Sequence, residues 1–212
     1  MELSAEQGLW LALAVSLGVG YLVGLYVNRR RGQAAYRWLA QGLRQSFDGG
    51  VQGRWLGSAS TGARLSVQRP GGPFRQVEVA FLLQTRELWP LWLVNRLRGK
   101  GDQLVLRVWL RHGVPVEWEM GPARGEPPGP DFEPVAGLPL PPGWRAWARG
   151  SGGSSPRRPD WTPLLQVAPR ALLGLSLRRG EPHLIVRLDL NAAQQVPAQR
   201  WFEALKAAWR PG

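Results

Sequence analysis

The chain has 212 residues, of which 44% are hydrophobic and 20% charged, with 27 Lys and Arg against 15 Asp and Glu and no cysteine. That balance excludes a wholly disordered chain, and the missing thiols exclude a disulfide framework, a cysteine nucleophile and any cysteine-based metal site. The net charge of +12 points to an anionic partner: lipid headgroups, RNA or an acidic protein face.

The first predicted element is the run Gly8 to Val27, "GLWLALAVSLGVGYLVGLYV", which carries no charge. As a helix it is about 30 Å long, the thickness of a bilayer's hydrocarbon core. Trp10 near one end, and Tyr21 and Tyr26 toward the other, suit membrane–water interfaces. A cleaved signal has basic residues before a shorter apolar run. Here Glu2 and Glu6 precede the run and every basic residue follows it, so the pattern predicts a permanent signal anchor. The expected organisation is an external tail over 1–7, a transmembrane helix over 8–28, a basic stop over 29–33 and a domain over 34–212.

Arg29, Arg30 and Arg31, with Arg37 beyond them, place the N-terminus outside and the domain in the cytoplasm by the positive-inside rule. The expected location is the cytoplasmic membrane of a prokaryotic cell, crossed once. The same four arginines are the candidate ligands for lipid headgroups or another anionic partner. Within the span, Ala12, Ser16, Gly20 and Gly24 recur every four residues. Small residues at that spacing form a candidate face for close helix packing, against a second copy or another protein.

Beyond the stop, 34–47 reads as a helix with Ala35, Trp38, Leu39, Leu43 and Phe47 on one face, either on the membrane surface or as the domain's first helix. "DGGVQGRWLGSASTG" reads as a loop rich in turn residues. Alternation over 63–69 and 75–83 about "PGG" predicts a hairpin. "RELWPLWLVNRLRGKGD" reads as a short apolar helix, with Pro90 in its first turn and Gly99 and Gly101 ending it. In "DQLVLRVWLRH", Leu104, Leu106, Val108 and Leu110 line one face of a strand and Arg107, Trp109 and Arg111 the other. "VPVEWEM" is expected to pair with it across His112–Gly113. Pro and Gly crowd 121–143, and 149–160 has the composition of a flexible loop. "LLGLSLRR" and "HLIVRLDL" predict a second hairpin, and Pro197 to Arg210 a final helix carrying Trp201, Leu205 and Trp209. Strands outnumber helices and arrive as hairpins. The expected class is α+β: one N-terminal transmembrane helix, then a mainly antiparallel sheet with a few helices on one face.

Catalytic chemistry has no foothold in this sequence. GxSxG, GxGxxG and P-loop patterns are absent. His112 and His183 are the only histidines and read as solvent-exposed or core-satisfied. Glu117 and Glu119 share one strand face, and a solvated face explains them as well as a paired site would. No enzyme activity, metal or other cofactor is expected. Arg86, Trp89, Trp92, Arg96, Arg107 and Arg111 interleave aromatic and basic side chains, which makes them a candidate partner surface.

The order of elements resembles the cytosolic part of calumin, a coiled-coil-domain-containing protein family of the eukaryotic endoplasmic reticulum. The resemblance runs from about Leu11 to Arg210 and is strongest in "LLQTRELWPLWLVNRLRGKGDQLVLRV". There Arg86, Arg98, Asp102 and Gln103 fall where the family has the same residue types, and "STG" at 60–62 echoes a segment upstream. "HLIVRLDL" followed by a helix after Pro197 is similar in layout to the family's last strand and helix. The resemblance implies an α+β domain beside the membrane and a part in the biogenesis of multi-spanning membrane proteins. It also implies a small hydrophobic partner, a translocon and the ribosome. The family's long basic coiled coil and acidic luminal region have no counterpart in this sequence.

The sequence therefore leads to a non-enzymatic single-pass membrane protein that assists insertion or assembly of other membrane proteins. Its expected partners are membrane lipids, insertase or translocon components, the ribosome and a second copy of itself. The alternatives are a scaffold of the cell envelope and a membrane-tethered nucleic-acid-binding protein.

Overall fold

The structure is a computed structural model and describes residues 4–123, 129–150 and 159–209. The apolar run does not end at the arginines. One continuous helix, α1, spans Ala5–Ser46, so the expected span, basic stop and first domain helix are a single element. Nothing between Gly8 and Phe47 breaks a helix: there is no proline, and its glycines are isolated. Ser4 and Gln7 form a reciprocal capping box at its start.

Among the described residues the domain forms a nine-stranded antiparallel sheet in the order β1-β2-β3-β4-β9-β8-β5-β7-β6. Its strands are β1 Val51–Trp55, β2 Gly62–Gly71, β3 Phe74–Leu82, β4 Gln103–Leu110, β5 Glu117–Pro122, β6 Glu133–Val135, β7 Trp144–Arg149, β8 Leu172–Leu177 and β9 Leu184–Asp189. The helices after α1 are α2 Trp89–Leu97, α3 Thr162–Val167, α4 Leu190–Ala193 and α5 Ala198–Ala208. The α+β class and the β2–β3 and β8–β9 hairpins stand as expected.

Alternation along the strands divides the sheet into two faces. Leu65, Val67, Val77, Val79, Leu106, Val108, Val186, Leu175 and Met120 are buried on one of them. The C-terminal half of α1, α3 and α5 cover it: Ala35, Leu39, Leu43 and Phe47 of α1 meet Trp201, Phe202 and Leu205 of α5 in the same core. Phe47 stacks edge-on against Phe74 at 6.3 Å and lies 5.7 Å from Phe202. The other face carries ion pairs between neighbouring strands. Glu78 joins Arg64 and, at 3.1 Å, Arg107; Glu117, directly opposite Arg149, binds it at 2.8 Å.

Three sequence expectations change. "VPVEWEM" does not pair with β4, because both edges of β4 are taken by β3 and β9, and β5 joins the sheet through β8. The supposed loop after α1 contains edge strand β1, hidden by its turn residues; at its centre, a Cβ on Gly53 would lie 2.1 Å from the Tyr36 hydroxyl, so only glycine admits that tyrosine. The Pro/Gly-rich stretch from 121 to 143 includes the end of β5 and all of β6. Residues 124–128 of it, and most of the predicted flexible loop over 149–160, lie outside the described residues. Between the two readings left open for Glu117, the solvated one does not hold, since the side chain is buried and bound to Arg149. Of the histidines, His183 is buried with Nδ1 accepting from the Leu110 N–H at 3.1 Å, and His112 is exposed.

Candidate membrane-proximal site

A single stripe of α1 residues, three or four apart, runs down the helix: Gly20, Gly24, Asn28, Arg31, Ala35, Leu39 and Leu43. From Ala35 onward the stripe enters the core; at Asn28 and Arg31 it enters a buried polar clamp. Asn28 is 0% exposed. Its amide donates to the Gln84 carbonyl at 2.8 Å and to Glu87 Oε2 at 3.2 Å, while its Oδ1 accepts from Arg86 at 2.7 Å. Arg86 forks onto both oxygens of Asp102, at 3.1 and 2.9 Å. Arg31 reaches the same carboxylate at 3.1 Å and also donates to Asn191. The Gln84 N–H completes the Asp102 shell at 2.9 Å.

The sheet supplies these groups from one end. Gln84 to Glu87 follow β3, Asp102 precedes β4 and Asn191 begins just after β9, and these three strands are neighbours. Two guanidiniums, the mostly buried Arg86 and the partly exposed Arg31, therefore meet the one fully buried carboxylate of Asp102 and compensate its charge. Burial pushes the Asp102 carboxyl up, but the hydrogen bonds from Arg86 and Gln84 and the charges of Arg86 and Arg31 outweigh it. Asp102 is held below the ordinary carboxylate range and stays ionised. The clamp fixes the direction in which α1 leaves the domain.

The segment after β3 also lies along α1. A Cβ on Gly24 would fall 2.3 Å from the Arg86 carbonyl oxygen, and one on Gly20 would fall 2.3 Å from the Trp89 indole. The small residues thus admit the chain's own segment from Arg86 to the start of α2 rather than leaving that part of the stripe open. Pro90 in its first turn starts α2, and the left-handed Gly99 follows it, as expected. None of its residues is buried, although Leu91, Leu93, Val94 and Leu97 are all apolar.

The predicted site residues fall into separate places. Arg29 and Arg30 are exposed, and the Arg30 guanidinium sits 5.0 Å over the Tyr26 ring; Arg37 is exposed two turns further on. Arg31 is turned partly inward onto Asp102. Ala12 and Ser16 are exposed, Gly20 is half-buried and Gly24 is buried by its own chain. Arg86 is in the clamp with its guanidinium 6.0 Å from the Trp92 ring; Trp89, Trp92 and Arg96 lie on α2. Arg107 and Arg111 are not with them. Arg107 pairs with Glu78 on the open sheet face, and Arg111, at the opposite end of β4, donates to the Phe74 carbonyl at 3.2 Å.

Sequence reasoning missed Asn28, Glu87 and Asn191 as a unit with Asp102. The one available signal was Asn28, a polar residue one helical turn beyond Gly24 at the end of an apolar run. One helix, α1, is long and apolar enough to cross a membrane, and the most apolar part of it is almost wholly exposed. Among the described residues, no group of three or more His, Asp or Glu is placed to hold a metal ion. The fold and site define an α+β domain clamped to one long helix with an exposed apolar half. No protein-family model matches the chain, and no curated protein is significantly similar to it.

Proposed function

We propose that this chain is a non-enzymatic single-pass membrane protein that assists the insertion or assembly of other membrane proteins. On this reading α1 crosses the cytoplasmic membrane with its N-terminus outside, and the basic domain stands in the cytoplasm. Arg29, Arg30 and Arg37 meet lipid headgroups, each contributing about 1 kcal/mol of attraction to an anionic surface. The clamp at Asn28, Arg31, Arg86 and Asp102 is the observation that carries it. A loose tether needs no such device, whereas a client helix lying on the Ala12 and Ser16 side of a rigidly held span meets the domain at a fixed height. The resemblance to calumin points to the same class of task, with insertase or translocon components as partners and the ribosome as a further one.

Topology and client contact are tested on the full chain in its own membranes. Gly180 is exposed in the β8–β9 turn, and a Cβ there meets nothing within 4 Å, so Gly180→Cys gives the cysteine-free chain one reporter thiol. Protection from an impermeant maleimide until lysis is expected; labelling of intact cells overturns the cytoplasmic placement and favours the envelope scaffold. A photo-crosslinking residue at Ser16 should form adducts with a stalled, radiolabelled multi-spanning nascent chain. Absence of adducts at both Ser16 and Ala12 overturns the client role.

A further inference from the structure

We propose that α2 is a second membrane contact: a short helix lying in the plane of the bilayer at the headgroup–acyl boundary, with its leucine face in anionic lipid. This rests on the reading of α1 as a span.

Three observations carry it. The first is position. Trp89 packs on Gly20, and the Arg86–Glu87 backbone packs on Gly24, both inside the apolar run that ends at Asn28. Gly20 lies about 12 Å along the helix from Asn28. Any bilayer that receives the apolar run of α1 therefore receives the start of α2 as well, at the depth where in-plane helices sit.

The second is what α2 presents. Leu88, Leu91, Leu93, Val94 and Leu97 are exposed, and none of the helix's residues is buried by the domain. The exposed side chain of Leu82, at the end of β3, adds to the same end of the molecule. A nine-residue helix that is apolar on its outward side and stabilised by no core contact has little reason to fold in water. Lipid removes that exposed surface.

The third is charge. Arg96, Arg98 and Lys100 follow one another at the end of α2 and are exposed, as are Arg29 and Arg30 on α1. No acidic side chain lies between Trp89 and Gly101. The leucine face is therefore bordered by cations, the arrangement that anionic headgroups favour. The irregular segment that leads into α2 is held against α1 by the clamp: the Gln84 N–H donates to Asp102, its carbonyl accepts from Asn28, and the side chains of Arg86 and Glu87 bond Asn28.

The experiment uses the full chain reconstituted in vesicles of phosphatidylglycerol and phosphatidylcholine. An environment-sensitive fluorophore is attached to one introduced thiol at a time, with or without lipids carrying a doxyl quencher on the acyl chain. Leu93→Cys and Leu97→Cys report on α2, Ala12→Cys on the span, and Gly180→Cys on the far end of the sheet. The expected result is blue-shifted emission and loss of most intensity to the quencher at Ala12, Leu93 and Leu97, with Gly180 unaffected. Removing phosphatidylglycerol should weaken quenching at Leu93 and Leu97 while leaving Ala12 unchanged. Quenching at Ala12 without quenching at Leu93 and Leu97 overturns the inference and leaves the span standing. An unquenched Ala12 sinks the span and the inference together. Blue-shifted but unquenched Leu93, growing with the protein-to-lipid ratio, assigns the face to a second copy of the chain and also overturns the inference.

Discussion

Asp102 ties three parts of the chain together: Arg31 of α1, Arg86 after β3 and the Gln84 N–H all bond its carboxylate. Asp102→Asn leaves the mostly buried Arg86 guanidinium against a neutral amide, while the partly exposed Arg31 can turn to water, and removing one partner of a buried pair costs about 3–5 kcal/mol. Urea unfolding of the detergent-solubilised chain, followed by tryptophan emission, should show a loss of that size; a change under about 1 kcal/mol would mean the pair is solvated. Glu117 behaves similarly: burial raises its pKa, but the Arg179 N–H and Arg149 outweigh that and hold it low. Both carboxyls therefore have folded-state pKa values depressed below their unfolded ones. Their stabilisation is complete above the ordinary carboxylate range and is lost as pH falls through the folded values, because the unfolded chain then binds more protons. The urea midpoint should begin to drop below about pH 4, and Asp102→Asn should make that acid limb shallower. The charged pair was legible only in part. Arg86 and Asp102 are sixteen residues apart, and no spacing rule joins them; the helix after β3 turns the chain back so that both reach one end of the sheet.

At the scale of the element, α1 shows why a stripe of small residues is ambiguous in sequence. Ala12, Ser16, Gly20 and Gly24 look like one face for one partner, yet the chain's own Trp89 at the start of α2 and the Arg86–Glu87 backbone before it take the last two. Gly24→Leu should push the Arg86–Glu87 backbone off α1 and lower stability by about 1–3 kcal/mol, the usual cost of overpacking. Ser16→Leu, on an exposed part of the same stripe, should leave the unfolding midpoint unchanged; equal effects of the two substitutions would mean that α2 does not pack there. Strand β4 was readable because Leu104, Leu106, Val108 and Leu110 alternate without interruption. Strand β7 went unread, although Trp144, Ala146 and Ala148 alternate with Arg145, Trp147 and Arg149. Two tryptophans pointing to opposite faces blur a pattern that leucine and arginine make plain.

For the whole molecule, the consequence of one unbroken α1 is that anchor and domain are inseparable. Ala35, Leu39, Leu43 and Phe47 are core residues, and the Trp38 indole N–H donates to the Val196 carbonyl at 3.0 Å, just before α5. A chain beginning at Asp48 should therefore lack a cooperative unfolding transition, as read by circular dichroism during heating. A sharp transition there would show that the sheet, α3 and α5 suffice without α1. The twelve tryptophans, whose surroundings composition leaves open, also divide at this scale. Trp118, Trp147, Trp161 and Trp201 are buried, whereas Trp10 and Trp89 are exposed at the apolar end of the molecule. The arginines divide too: Arg64 and Arg107 share Glu78 and so offer nucleic acid less charge than their count suggests.

The sequence by itself determined the apolar helix and the basic residues that follow it, the α+β class, two hairpins, the Pro90 start of α2 and the buried alternation of β4. All of these are properties of a residue and its near neighbours: length, period, and turn chemistry. Tertiary structure alone decided that β8 and β9 lie between β4 and β5, that α1 is held by five residues distant in sequence, and that Gly20 and Gly24 face their own chain. Pairing between strands and ion pairs across the core depend on which surfaces close on one another, and that selection is made by the packing of the whole chain at once, not by any stretch of it.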